Sequence, residues 1–352
     1  MKPDKLRVLV AEDSPTARRL LVEILRADPA FEVVGEAKDG VEAVELTRRL
    51  RPHLVTMDIQ MPNMDGLEAT RRIMTEVPTP VVVVSTLVER DIQTSMAALR
   101  SGALAVLQKL VGPQAPDFET EARRLRDTVK AMAEVKVIRH WPSRDEGPGP
   151  RVPVVPARRS KPALLAIAAS TGGPAALHRI FSELPADFPL PVLVVQHIAL
   201  GFAKGLCTWL DSVCKLEVKV AEDGEALRPG VVYIAPDDRH LGVRADGRVE
   251  VSNAAPVGGF RPSGTWLFRS VTRVFGSSLA AAVLTGMGQD GLEGLREVHA
   301  AGGWVMAQDE ATSVVYGMPG VAVAAGLAHE VLPLSDFSRR FRELAGGENG
   351  GA

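Results

Sequence analysis

At 352 residues the chain is long enough for two domains of ordinary size, each with its own core. Hydrophobic residues make up 46% without an uninterrupted apolar stretch long enough to span a bilayer, and a net charge of −2 with no basic half argues against nucleic-acid binding. Cys207 and Cys214 sit seven residues apart in a helical pattern. That spacing is roughly 10 Å along a helix axis, too far for a bridge, so reduced thiols and a cytoplasmic setting are expected.

The N-terminal "MKPDKLRVLVAEDSP" has a short apolar run that ends in acids and does not read as a signal peptide. Residues 6 to 110 alternate apolar runs ("LRVLVAED", "FEVVGEA", "HLVTMDIQMP", "VVVVSTL", "ALAVLQKL") with amphipathic stretches such as "PTARRLLVEILRAD" and "GVEAVELTRRL". Five strands alternating with helices predict a parallel sheet covered on both faces, and a last helix is expected from about Asp117 to Ala133. The aperiodic, proline- and arginine-rich "RHWPSRDEGPGPRVPVVPARRSKP" reads as an extended linker. From Ala163 a second alternation begins, with "ALLAIAAS", "LPVLVVQHI", "LEVKVAE", "GVVYIAP", "AAAVLTGMG" and "GGWVMAQD" as its apolar runs. The expected class is therefore α/β, with two doubly wound parallel-sheet domains at residues 5–134 and 161–345 and a linker at 135–160. No helix-turn-helix pattern is evident near the C-terminus.

In doubly wound sheets, chemistry collects at the carboxyl ends of strands. In the first domain those ends carry Glu12 and Asp13, Asp58, Ser85 and Lys109. Three converging carboxylates repel unless a cation sits among them, and an oxygen-only set suits Mg²⁺. Asp58 could then attack a phosphoryl group, with Ser85 and Lys109 contacting its oxygens.

The second domain poses a question at "AIAASTGGPAALHRI", where Ser170 ends an apolar run. The turn lacks both a P-loop lysine and a dinucleotide-fingerprint spacing. Ser170 or Thr171, ahead of Pro174, is expected to cap the following helix. A nucleophilic serine needs a base and a group to orient that base. His197 ends the next strand and Asp290 lies in a loop after a later one, with His240 a rival base and Asp237 or Asp238 a rival acid. Backbone N–H groups near Gly172 or in "TGMG" could bind an oxyanion. No histidine cluster has zinc-ligand spacing, so no cofactor is expected for this domain.

"LVAEDSP", "LVTMDIQMPNMDG", "VVVVSTL" and "VLQKL" resemble the response-regulator receiver domain, which implies a flavodoxin-like fold. The resemblance implies Asp58 as phospho-acceptor, Glu12, Asp13 and Asp58 as Mg²⁺ ligands, and Ser85 and Lys109 as switch residues. Leu110 stands where receivers usually have proline, and Val106 where they often have an aromatic. "IAASTGGP", "VVQHI", "GFAKGL", "YIAPDDRHL", "FRPS", "LTGMGQDG" and "SVVYGMPG" resemble the catalytic domain of chemotaxis protein-glutamate methylesterases, which implies a Rossmann-like fold. That family usually has glycine where this chain has Ala168, and "FRPSVD" where it has "FRPSGT", a change expected to alter the rim of the site. The resemblance implies catalytic roles for Ser170, His197 and Asp290 in hydrolysing glutamate γ-methyl esters, and slower glutamine deamidation. It further implies that the unphosphorylated receiver blocks the active-site face and phosphorylation relieves the block. The implied partners are methylated chemoreceptors as substrate and a chemotaxis histidine kinase as phosphodonor, with no nucleic acid and no direct membrane insertion. The rival expectation is a receiver-controlled binding module without catalysis.

Overall fold

The computed structural model describes residues 5–85, 97–99, 101–110, 112–115, 118–133, 135 and 161–346. The chain divides into two compact units, residues 1–146 and 147–352. Apart from Val135, the expected linker at 135–160 lies outside the described residues, as do Thr86 and Leu87 of "VVVVSTL".

The first unit contains β1 (Leu6–Ala11), α1 (Pro15–Arg26), β2 (Phe31–Ala37), α2 (Gly40–Leu50), β3 (Leu54–Met57), α3 (Gly66–Glu76), β4 (Val81–Ser85), β5 (Ala105–Gln108) and α4 (Phe118–Ala133). Its sheet order is β2-β1-β3-β4-β5, and every pair is parallel. The chain reverses its winding between β1 and β3, where a crevice opens at the carboxyl ends of strands. Register then fixes the chemistry. Ala11 pairs with Met57, so Glu12 and Asp58 leave the sheet side by side, and Ser85 pairs with Gln108, so Lys109 follows beside Ser85. Asp65 caps α3 through Glu68 N–H, and Gly66 lets that helix approach closely, since a Cβ there would lie 1.9 Å from the Asp58 carbonyl oxygen.

The second unit begins with β6 (Leu164–Ala169), α5 (Gly173–Ser182), β7 (Val192–Gln196), α6 (Ala203–Val213), β8 (Glu217–Val220) and β9 (Val231–Ile234). It continues with β10 (His240–Val243), β11 (Val249–Ser252), α7 (Gly264–Phe275), β12 (Leu279–Val283) and α8 (Leu292–Ala300). It ends with β13 (Trp304–Gln308), α9 (Met318–Ala324), β14 (Glu330–Leu332) and α10 (Phe337–Leu344). Seven strands form a parallel sheet in the order β14-β13-β12-β6-β7-β9-β8, and β10 and β11 make a separate antiparallel pair. The sequence runs did not announce that pair or β14. The pair's four-residue strands meet around Asp246 and Gly247, and β14 is three residues long, too short for a periodic signal.

The winding reverses between β6 and β12, so Ser170, His197 and the loop carrying Asp290 leave neighbouring strands β6, β7 and β12. Leu267, Phe268 and Val271 seat α7 in the core of this unit. Burial of such side chains contributes about 1.5–3 kcal/mol each, which fixes where the N-terminus of α7 points. Among the described residues no helix is long and apolar enough to cross a membrane.

Candidate functional site

In the first unit, one oxygen from each of Glu12, Asp13 and Asp58 can be chosen so that all lie within 4.8 Å of one another. Glu12 and Asp58 are buried and Asp13 is exposed. The Lys109 ammonium lies 2.9 Å from Asp58 Oδ2 and 3.0 Å from each Glu12 oxygen, but it has hydrogen-bonding alignment only toward Glu12 Oε1. Glu12 Oε2 and Asp58 Oδ2 are therefore buried oxygens that face the Lys109 ammonium without a well-aligned hydrogen bond. This hard, all-oxygen, negatively charged set fits a divalent cation. Burial pushes the Asp58 carboxyl up against the opposing pull of Lys109; burial and the Asp58 charge together push Glu12 up. Burial pulls the Lys109 ammonium down, but its two carboxylate partners outweigh this and hold its pKa above the ordinary lysine value. Ser85 is buried at the end of β4, and its carbonyl accepts the Lys109 N–H at 2.8 Å.

In the second unit, the chain turns sharply after β6. Gly172 adopts φ of 77°, which brings the Gly173 N–H onto the Ser170 carbonyl at 2.9 Å. Gly172 is consequently the N-terminal cap of α5, without any side-chain bond, and the expected capping by Ser170 or Thr171 does not occur. Among the described residues the Ser170 hydroxyl has no hydrogen-bond partner, and neither the Thr171 nor the Gly172 N–H has an acceptor. In the "TGMG" loop the Gly286 N–H is already taken by the Val315 carbonyl at 3.0 Å.

The Ser170 backbone is clamped from two sides. Its N–H donates to Thr285 O at 3.0 Å, and its carbonyl accepts Gln196 Nε2 at 2.7 Å. The same Gln196 amide donates to the His197 carbonyl at 2.8 Å, and His197 N–H donates to Ala169 O at 2.9 Å, so the serine and histidine backbones are fixed together. His197 Nε2 lies 2.9 Å from Asp290 Oδ2, while its Nδ1 is buried without a partner. The Phe260 ring stacks on the imidazole at 4.5 Å and 8°.

Asp290 does not cap the helix that follows it; Gly291 does. Its Oδ1 accepts Ser263 Oγ at 2.7 Å, Gly291 N–H at 2.8 Å and Thr265 N–H at 3.1 Å, and its Oδ2 also accepts Gly264 N–H at 2.6 Å. Burial pushes this carboxyl up, but the bonds from His197, Ser263 and Gly264 outweigh it and hold the group down at about 2. The "FRPSGT" segment, expected at the rim, thus grips the acid from beneath. Gln196, Phe260, Ser263 and Thr285 received no role from the sequence because each acts through contacts with residues distant in the chain, which no local spacing encodes.

The rivals are engaged with other partners. His240 is fully buried, stacks on Trp266 at 4.5 Å, and holds Ala255 O at 3.1 Å through Nε2; burial pushes its pKa down. Asp238 is committed to a bidentate pair with Arg261, and Asp237 accepts the backbone of Gly201 and Ala203. Cys207 and Cys214 are free thiols whose burial pushes them up to about 12 and about 11, so neither offers a thiolate nucleophile.

The family described as CheB methylesterase matches residues 165–341, and the response regulator receiver domain matches residues 8–115. The chain is 70% identical to protein-glutamate methylesterase/protein-glutamine glutaminase 4 of Myxococcus xanthus, over 99% of this chain and 100% of that protein. It is 56% identical to protein-glutamate methylesterase/protein-glutamine glutaminase 3 of Anaeromyxobacter dehalogenans, over 93% of this chain and 95% of that protein. Among solved structures, the Thermotoga maritima CheB methylesterase catalytic domain aligns with a TM-score of 0.51 and 41% identity, covering 53% of this chain and 100% of that domain. The chain belongs to the CheB methylesterase family, with a response regulator receiver domain ahead of the esterase.

Proposed function

We propose that the protein is a phosphorylation-activated protein-glutamate methylesterase and protein-glutamine glutaminase, with residues 5–134 as receiver and 161–345 as catalytic domain. The observation that carries the esterase reading is the His197–Asp290 pair at 2.9 Å beside a serine held on a glycine turn. Ser170 Oγ attacks the γ-ester carbonyl while His197 Nδ1, the ring nitrogen left without a partner, takes the hydroxyl proton. Asp290 holds the Nε2–H tautomer and stabilises the imidazolium that forms. The Thr171 and Gly172 N–H groups, at the start of α5, are suited to bind the oxyanion. Collapse of the tetrahedral intermediate expels methoxide, which takes the proton from His197 and leaves as methanol. Water, deprotonated by the same nitrogen, then cleaves the acyl-enzyme to release glutamate. A glutamine side chain follows the same course with ammonia as leaving group, more slowly because nitrogen must be protonated to depart.

In the receiver, Asp58 is the phospho-acceptor, and Glu12, Asp13 and Asp58 would hold Mg²⁺. When bound, Mg²⁺ supplies charge neutralisation for the entering phosphoryl group. Lys109 pairs with phosphoryl oxygens and Ser85 donates its hydroxyl to them. Phosphorylation puts a group of about −1.5 to −2 charges beside Lys109 in place of the single carboxylate charge, and raises the esterase rate. Val106 provides no aromatic ring to flip, so the switch falls to Ser85 and Lys109.

The phosphodonor is a histidine kinase of a chemotaxis pathway, and the substrate is a methylated chemoreceptor's cytoplasmic region, which places the protein in the cytoplasm. The family membership gives no support to the binding-module alternative. Methanol release from methylated receptor, lost in Ser170→Ala, tests the reading; release that persists in that variant refutes it.

A further inference from the structure

Ala168 and Gly264, two of the three positions at which the catalytic domain departs from the family pattern it resembles, face each other. Ala168 is fully buried on β6, two residues before Ser170, with its backbone fixed between Val195 of β7 and Val283 of β12. Gly264 opens α7 and donates its N–H to Asp290 Oδ2, the oxygen that also holds His197. Gly264 has no positive φ, so its backbone conformation makes no demand for glycine. The space around it does. A Cβ at position 264 would lie 2.9 Å from the Ala168 Cβ, 3.4 Å from Asp290 Oδ2 and 3.5 Å from Gly291 Cα. The Ala168 methyl is attached directly to a strand in the middle of the sheet and cannot swing aside, so a side chain at 264 would have to move the start of α7.

We infer that Ala168 and Gly264 are a size-matched pair of positioning residues: the methyl of one fills the place the other leaves open, and their contact sets the distance from the α7 N-terminus to Asp290. The inference rests on the proposed roles of His197 and Asp290. Because the start of α7 gives three of the donors to Asp290, a shift of a few tenths of an ångström there is passed to the imidazole.

The test compares full-length wild type, Gly264→Ala, Ala168→Gly and the double variant. It measures kcat and KM for methanol release, and the NMR signal of the His197 Nε2 proton. Gly264→Ala is expected to lower kcat about 10- to 100-fold with KM changed no more than about 2-fold, and to move the imidazole proton upfield as its bond to Asp290 lengthens. Ala168→Gly is expected to stay within about 3-fold of wild type, and the double variant to regain most of the lost kcat together with the imidazole signal. A Gly264→Ala variant with wild-type kcat and an unmoved signal overturns the pairing, as does a double variant no better than Gly264→Ala. If Gly264→Ala does not fold, the double variant must fold and turn over, and its failure to do so also overturns it. Absence of methanol release from wild type would refute the esterase reading instead, while the imidazole signal would still decide the pairing.

Discussion

Asp290 accepts five hydrogen bonds, from His197, Ser263, Gly264, Thr265 and Gly291. Such a carboxylate remains ionised deep in acid, and its negative charge keeps one proton on His197 Nε2. Replacing it with asparagine keeps the shape but removes the charge and reverses some donors. Asp290→Asn is expected to lower kcat by roughly 10²- to 10⁴-fold with little change in KM, measured by steady-state methanol release. The same group contributes to acid stability. Its pKa is lowered from 3.8 to about 2, so its contribution, about 2 kcal/mol, is fully present above about pH 4 and is lost as pH falls through about 2. Urea unfolding across that window should show a smaller acid loss in Asp290→Asn than in wild type; identical losses would remove Asp290 from the account of acid stability. Phe260 acts on the other component of the pair, its ring lying flat on the imidazole. Phe260→Ala should lower kcat by about 2- to 10-fold through loss of ring placement and of π-stabilisation of the imidazolium.

At the scale of elements, two strand registers and one helix start position most of the chemistry. Ala11 opposite Met57 sets Glu12 beside Asp58, and Val283 opposite Ala168 brings the Asp290 loop to the serine's strand. The α7 N-terminus meets Asp290 with its cap residue and first two N–H groups, an arrangement that favours negative charge there. Ser263→Ala removes one donor to Asp290 and the α7 cap together, and should destabilise the catalytic unit by about 1–2 kcal/mol in denaturant titration while lowering kcat. Strand ends were legible in the sequence because apolar runs stop at polar residues, and that is how Asp58, Ser170 and His197 stood out. The expected serine cap failed because Gly172, in a left-handed conformation, ends the turn before any hydroxyl can reach the helix. The role of "FRPSGT" was equally hidden, since its residues meet Asp290 across more than twenty positions of sequence.

For the molecule as a whole, the proposed logic separates two chemistries, each in its own unit. The acceptor carboxylate and the oxygen cluster that would hold its cation belong to the first, and the serine, histidine and aspartate to the second. Removing divalent cations should therefore abolish stimulation by a small-molecule phosphodonor yet leave unstimulated methanol release intact. Asp58→Ala should do the same with cation present, read as loss of phosphodonor response in the same assay. The most direct measurement is methanol release from a methylated receptor cytoplasmic domain, comparing wild type with Ser170→Ala, each with and without phosphodonor and Mg²⁺. The account predicts release by wild type that rises with phosphodonor, and release at background by Ser170→Ala under both conditions. Wild-type release that ignores the donor would contradict control by the receiver, and undiminished release by Ser170→Ala would contradict the serine mechanism itself.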